Sequence, residues 1–337
     1  MATISANGST GKQTFKLTVT ESGTNAAANT STISYSFTIG QSGQGSWPFS
    51  DMGTDIRFAV VINGVTVKNG YIPSYDGSST VTLASGTTTV THNDNGTKTV
   101  SYSFSVVDAY PALPGPGNAS ASGSLALTSF TRYSLSIWYG AEKSAGGWNS
   151  IQTSTVYVSS GQSYTIPHTT ATIPTGNTKT GSRFSYWTAG YGTLLGGGTP
   201  GSTSIKVTQN LTVEVYYPLI TYTVSYNANG GTGAPSAQTK KYGVNLTLSS
   251  TKPTKGNTTT NGYTVTFNSN GGVPASSTAT ATNTHSYTFS KWNTAANGSG
   301  VSYNPGVSYT NNRNATLYAQ WIKTVTKNPI TTPLPTR

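Results

Sequence analysis

Chemistry near neutral pH needs titratable side chains, and this chain of 337 residues has few: eight acids (Glu21, Asp51, Asp55, Asp76, Asp94, Asp108, Glu142 and Glu214) and three histidines. Two carboxylates set around a bond would hydrolyse a glycoside. Asp76 and Asp94, however, stand in turn sequences beside glycine, where an Asx side chain caps its own backbone. Glu214 alternates with Val213 and Val215, as an outward strand position would. Asp51 and Asp55, in one short stretch after Trp47, are the remaining pair to weigh. His92, His168 and His285 lie far apart among Thr and Asn with no partner at helical spacing, and Asn93-Asp94-Asn95 has too few carboxylates for calcium. A Ser-His-Asp set is available in any Ser-rich chain, but no nucleophile elbow is present. Gly196-Gly197-Gly198 is followed by neither a helix nor Lys-Ser/Thr, so it fails as a phosphate loop and reads as a hairpin tip. The expectation is no catalytic residue, no cofactor and no metal, hence not an enzyme.

Aromatic side chains are the better-supplied chemistry, with 21 Tyr, 9 Phe and 6 Trp. They crowd between Trp138 and Tyr191. Trp187 recurs in like surroundings at Trp292, and a repeated Trp reads as packing. Trp148 follows Gly146-Gly147, and Tyr191 lies between Gly190 and Gly192. Aromatics in such glycine-flanked loops can expose a face that stacks on a sugar ring, with Asn and Thr supplying hydrogen bonds. Trp148, Tyr191 and Trp138 are therefore the candidate glycan or partner contacts. A protein–protein contact in an assembly fits the same residues equally well.

The elements that must position these residues are strands. Charged residues are only 8% of the chain, and its polar residues are Thr, Ser, Asn and Gly, a composition that suits strands and turns rather than helices. Alternation marks strands at Phe15–Val19, Ile33–Phe37, Phe58–Ile62, Ser79–Leu83, Thr88–His92 and Val100–Val106. Asn63-Gly64 and Asn93-Asp94-Asn95-Gly96 supply hairpin turns. Short strands at this spacing predict an antiparallel β-sandwich over residues 1–128. The absence of cysteine excludes disulfides and Cys-based metal sites. No stretch is apolar enough to span a membrane as a helix. The net charge of +11 falls almost entirely after residue 128. Such a field favours polyanions, but Lys240-Lys241 is its tightest pair, so a nucleic-acid partner is not expected.

Two resemblances follow from particular residues. Ile72-Pro-Ser-Tyr-Asp-Gly-Ser-Ser-Thr-Val-Thr-Leu-Ala-Ser-Gly86, followed by Thr91-His-Asn-Asp-Asn-Gly-Thr-Lys-Thr-Val-Ser-Tyr-Ser-Phe-Ser105, resembles the N-terminal region of siphophage tail proteins, antireceptors of phages of Gram-positive hosts among them. Tyr222-Thr-Val-Ser-Tyr-Asn-Ala-Asn-Gly-Gly231, Tyr242-Gly243, Tyr287-Thr-Phe-Ser-Lys-Trp292, Asn293–Gly300 and Ala315-Thr-Leu-Tyr-Ala-Gln-Trp321 together resemble the Listeria–Bacteroides (internalin B-type) repeat of surface proteins. Residues 256–286 depart from that repeat: they intervene before the Tyr-Thr-Phe segment and carry a second opening strand, Tyr263-Thr-Val-Thr-Phe-Asn-Ser-Asn-Gly-Gly272. This is either a partial duplication or an inserted hairpin.

An eroded copy precedes the repeat. Phe184-Ser-Tyr-Trp187, Pro200-Gly201 and Asn210–Tyr217 follow one another with nearly the spacing of Phe289-Ser-Lys-Trp292, Pro305-Gly306 and Asn314–Trp321. The expected organisation is an all-β chain: a sandwich at 1–128 that docks to the particle, β-grasp-like repeat modules at 129–220 and 221–323, and an extended tail at 324–337. The β-grasp form is what the resemblance implies; no grasp helix is visible, so little helix is expected. With neither a signal pattern nor a hydrophobic C-terminal tail in view, the expectation is a virion protein, made in the host cytoplasm and exposed on the particle. The expected role is a tail-associated adhesin or fibre. Its partners would be other virion proteins, further copies of itself (a trimer) and host cell-surface polysaccharide or teichoic acid. A capsid decoration or head-fibre protein, a wall-degrading tail enzyme and a bacterial surface adhesin remain the alternatives.

Overall fold

The computed structural model describes residues 1–42, 48–49, 56–72, 74–110, 115–267 and 277–330. Trp47, Asp51, Asp55, the second Asn-Gly-Gly turn (270–272) and the last seven residues of the tail lie outside them. The described residues form strands, turns and loops without helix, so the all-β class expected from composition holds.

The first eight strands are β1 (Ala2–Asn7), β2 (Gln13–Asn25), β3 (Thr30–Gln41), β4 (Ile56–Ile62), β5 (Val65–Tyr71), β6 (Val81–Thr91), β7 (Thr99–Asp108) and β8 (Ala119–Ala126). They form two four-stranded sheets, ordered β1-β2-β3-β6 and β5-β4-β7-β8. Period-two alternation turns Phe15, Leu17 and Val19, then Ile33, Tyr35, Phe37 and Ile39, inward from one sheet; Phe58, Val60, Ile62, Val100, Tyr102, Phe104 and Val106 come from the other. Phe37 is the hub, with ring centroids 5.0 Å from Phe104 and 5.4 Å from Phe58. The Asn63-Gly64 turn forms as predicted, with φ of 53° and 79°. One expectation fails: Ser79–Leu83 and Thr88–His92 are not two strands but parts of the continuous β6. Gly86 does not break that strand because it lies beneath the Tyr35 ring; a Cβ there would sit 2.9 Å from the Tyr35 hydroxyl.

The remaining strands build two sheets of one design. β9 (Arg132–Glu142), β10 (Trp148–Ser159), β12 (Arg183–Thr188), β13 (Leu194–Gly198) and β15 (Leu211–Tyr217) take the order β10-β9-β15-β12-β13, while β11 (Ser163–Thr165) and β14 (Ser204–Lys206) form a separate ribbon. Next come β16 (Thr221–Asn227), β17 (Gln238–Lys241), β18 (Leu246–Thr247), β19 (Thr258–Phe267), β20 (Ser277–Asn293), β21 (Ser302–Tyr303), β22 (Ser308–Tyr309) and β23 (Ala315–Asn328). Their sheet runs β17-β16-β23-β20-β19, with β21 also on β20 and with β18 and β22 as the ribbon. The first four strands of each sheet correspond, and so do the two ribbons. The relationship between Phe184–Trp187 and Phe289–Trp292 seen in sequence is thus repeated in strand order. The core of the last sheet gathers on Trp292, with Val224, Leu248, Tyr309, Leu317 and Ala319 buried around it.

By compactness the chain divides into two units. The first is Met1–Trp138, Thr153–His168 and Arg183–Val215; the second is Tyr139–Gln152, Thr169–Ser182 and Tyr216–Arg337. Strands β9, β10 and β15 run from the first into the second.

Candidate functional site

In the first unit, β12 and β13 form a hairpin whose turn presents Tyr191. The turn is fixed from the backbone outward. Thr188 N–H donates to the Thr193 carbonyl (3.0 Å), Thr193 N–H to Thr188 Oγ1 (2.9 Å), and Gly190 N–H to Thr212 Oγ1 (3.1 Å). Tyr191 itself takes a positive φ of 61°, which a bulky residue seldom adopts. That conformation leaves its side chain 56% exposed. The ring meets Trp187 edge-on at 5.7 Å, and the phenol donates to Glu214 Oε1 at 2.9 Å. Desolvation raises the phenol above its ordinary value, and the hydrogen bond to the Glu214 carboxylate and its charge raise it further. The hydroxyl therefore stays protonated across the neutral range. Leu194 and Leu195, exposed on β13, extend the apolar surface of the hairpin. An exposed aromatic face held beside a carboxylate can stack on the C–H face of a sugar while accepting its hydroxyls.

The other two sequence candidates have different surroundings. Trp138 is half-buried on β9, on the opposite face from buried Ile137 and Tyr139. Trp148, expected on a loop, is the first residue of β10 and is half-buried in the second unit, its ring 4.9 Å from Tyr216. Gly196-Gly197-Gly198 is strand rather than hairpin tip: it pairs with Phe184–Tyr186, and a Cβ on Gly197 would lie 2.4 Å from the Phe184 carbonyl oxygen. Trp187 and Trp292 diverge, since Trp292 is fully buried and Trp187 only half.

Sequence reasoning missed a polar network, also in the first unit, where the sandwich continues into residues 128–132. Glu21 Oε2 accepts from Thr128 N–H (2.9 Å) and Thr128 Oγ1 (2.7 Å), and its Oε1 accepts from Ser31 Oγ (2.5 Å). His92 places Nε2 2.8 Å from Ser31 Oγ and Nδ1 3.0 Å from the Gly96 carbonyl. That carbonyl also accepts from Phe130 N–H (3.0 Å), and the Phe130 ring lies 4.5 Å from the imidazole. Arg132 Nη1 donates to the Asp94 carbonyl (3.1 Å) and Nη2 to the Tyr157 carbonyl. Burial would raise the Glu21 carboxyl, but hydrogen bonds from Ser31 and Thr128, with His92 nearby, outweigh it and hold the group below its ordinary value. Serine, histidine and glutamate do meet here, in the wrong order for acyl transfer. A triad needs the imidazole between an exposed hydroxyl and the carboxylate; here Ser31, 1% exposed, lies between His92 and Glu21. The only sequence signal was the distinctive run His92-Asn93-Asp94-Asn95-Gly96, whose long-range partners are invisible to local pattern.

Asp76, Asp108 and Glu142 serve the backbone or a cation. Asp76 caps Ser78 N–H (2.9 Å), Asp108 holds Tyr110 and Gly117 N–H (3.0 Å each), and Glu142 takes Leu219 N–H (3.0 Å) and Lys241 (2.6 Å). The densest basic pair is also engaged. Lys240, 1% exposed, donates to the Lys241 carbonyl (2.7 Å) and to Asn312 Oδ1 (2.9 Å), and burial pushes its ammonium below the ordinary value. It offers no polyanion contact. Among the described residues no helix is long and apolar enough to cross a membrane.

An all-β chain of this design, with a sandwich leading into twice-used sheets, agrees with what is found by comparison. Residues 1–140 match the family model of a siphovirus protein of unknown function, and residues 222–262 and 263–320 match the Listeria-Bacteroides repeat domain. Both resemblances seen in the sequence are thereby borne out. The first match takes in Glu21, Ser31, His92, Thr128 and Arg132 of the polar network, but not Tyr157. The second counts two copies, and their boundary falls inside β19 at its register shift between Asn261 and Thr264. Neither matched family model is described as an enzyme. No curated protein matches the chain.

Proposed function

We propose that the chain is a structural protein of a bacteriophage virion, carried on the tail and contacting a polysaccharide of the host surface. The match of its first 140 residues to a siphovirus family supports the virion reading. The observation that carries the contact is the Tyr191 hairpin, an exposed aromatic ring held in an uncommon backbone conformation beside Trp187 and Glu214. The Glu214 carboxylate favours a neutral, hydroxyl-rich glycan and repels a teichoic acid phosphate at this position. Trp138 and Trp148, each half-buried, are secondary contacts. Each such contact is weak alone, and adhesion arises from many copies on one particle. The sandwich is the docking module, and the sheets that follow it project outward.

The test uses purified protein on Gram-positive host cells and their extracted wall polysaccharide. Binding that is lost in Tyr191→Ala, with competition against phage adsorption, is the expected result. Equal binding by wild type and Tyr191→Ala overturns the assignment of the hairpin. Release of the protein with heads after the tails are sheared away overturns the tail location.

A further inference from the structure

Strand β19 is the outer strand of its sheet, hydrogen-bonded to β20 on one side and, among the described residues, to no strand on the other. Such an edge is a template for another strand, and folded proteins protect it with lysines, prolines or a covering segment. β19, Thr-Thr-Thr-Asn-Gly-Tyr-Thr-Val-Thr-Phe, has no charge and no proline. Indeed, residues 256–290 contain no Asp, Glu, Lys or Arg at all, in a chain of net charge +11. The strand is exposed along most of its length: Thr258–Thr260 and Thr264 face solvent and Tyr263 is 60% exposed. Its threonines and aromatics are strong strand formers. Exposed and uncharged, the strand lacks the lysine and proline defences, and its one irregularity is the register shift between Asn261 and Thr264.

We infer that the free edge of β19 pairs antiparallel with β19 of a second copy of the chain. Charge selects this occupant. An acidic partner would be drawn to the lysines of this basic region, not to its neutral strand. Two copies of this basic C-terminal region repel each other, and within it β19 is where they can meet without opposing cations. Antiparallel pairing of one strand with itself is self-complementary about a twofold axis, so the contact closes as a dimer instead of growing into a filament. The inference rests on the reading of the chain as a multi-copy virion protein. It supplies the contact between copies and replaces the trimer expected from sequence with a twofold pair.

The test is the mass of the full-length protein by light scattering over a range of concentrations, for wild type and for the double variant Thr259→Lys/Tyr263→Lys. Both positions are exposed, so the new lysines would place like charges on both copies of the pairing strand. Wild type is expected at twice the 35.0 kDa of one chain. The variant should dimerise more weakly by roughly tenfold or more, because like charges brought opposite on paired strands repel. Amide exchange separates lost pairing from lost folding: β19 amides should be protected in the wild-type dimer and released in the variant, while those of β16 and β23 stay protected in both. A wild type that is monomeric throughout, a trimer, or a dimer unaffected by the lysines overturns the inference. If the natural occupant is a different virion protein, wild type alone is monomeric, which also overturns it. A monomer that still binds host cells refutes only this contact and leaves the adhesin reading intact.

Discussion

Replacing Gly96 by alanine should destabilise the N-terminal sandwich far more than replacing Gly64, although both glycines take nearly the same backbone conformation. Their φ angles are 83° and 79°, so alanine pays a similar left-handed cost at either site, about 1–2 kcal/mol. Each replacement also recovers a similar part of that cost by stiffening the unfolded chain, about 0.4–1 kcal/mol. The surroundings decide the difference. A Cβ on Gly64 meets nothing within 4 Å, whereas one on Gly96 would lie 2.1 Å from the Phe130 carbonyl oxygen. Backbone must therefore separate at Gly96. The bonds at risk are Phe130 N–H to the Gly96 carbonyl and His92 Nδ1 to the same oxygen, both 3.0 Å. Losing two such bonds costs about 1 kcal/mol each, and more where a buried group is left unpaired. Gly64→Ala should cost about 1 kcal/mol and Gly96→Ala about 3–4 kcal/mol. The assay is urea unfolding of the full chain, with amide exchange of β2, β3 and β6 peptides to assign the loss to the sandwich. Equal destabilisation by the two variants would refute the claim that Gly96 is required for close approach and not merely for its φ.

Other predictions follow from the same geometry. Because Glu21 is held below its ordinary value, its contribution to stability is present above its unfolded-state value of about 4.3 and is lost as pH falls through its lower folded value. Glu21→Gln should therefore lower the melting temperature at pH 7 and flatten its decline in acid, and an unchanged acid profile would sink the network. Trp292→Ala, at a fully buried position, should cost about 3–5 kcal/mol, while Trp187→Ala, half-buried, should cost clearly less in the same denaturation series. Tyr191→Ala, exposed at a hairpin tip, should change stability by no more than about 0.5 kcal/mol, so any loss of cell binding in that variant reports contact and not folding.

Much of the fold was legible because its signals are local. Alternation placed Phe15, Phe37, Phe58 and Phe104 on inward faces, and these four rings do meet. The likeness in strand order of the last two sheets was legible because Phe184–Trp187 and Asn210–Tyr217 keep nearly the spacing of Phe289–Trp292 and Asn314–Trp321. What local pattern could not show is what lies opposite. Gly86 fell between two expected strands and Gly196–Gly198 read as a hairpin tip, but each lies in a strand where an aromatic ring or a carbonyl approaches too closely for a side chain. Trp148 read as a loop residue because two glycines precede it, yet they only form the turn that starts β10. Glu21 gave no signal at all, because its partners Ser31 and Thr128 are brought to it by the sandwich and not by sequence neighbourhood.

The paired sheets also show how the surroundings of Trp187 and Trp292 come to differ. The polar anchors persist in both. Asn210 Oδ1 accepts from Ser134 N–H at 2.9 Å, and Asn314 Oδ1 from Thr223 N–H at 2.8 Å, so each closing strand begins by capping its opening strand. The closing aromatic has changed. Trp321 donates Nε1–H to the Ala228 and Asn229 carbonyls of the Asn-Gly-Gly turn, both at 3.1 Å, whereas Tyr217, in its place, accepts from Thr169 N–H at 2.7 Å. In the intact copy Trp292 is closed in by Tyr226 at 4.9 Å and Phe289 at 5.0 Å. Its counterpart Trp187 has the exposed Tyr191 for a neighbour instead. A position that is core in one copy thus borders the surface in the other. Backbone caps common to the two sheets hold the strand frame while the packing around Trp187 is more open than that around Trp292, without a new element being added to the fold.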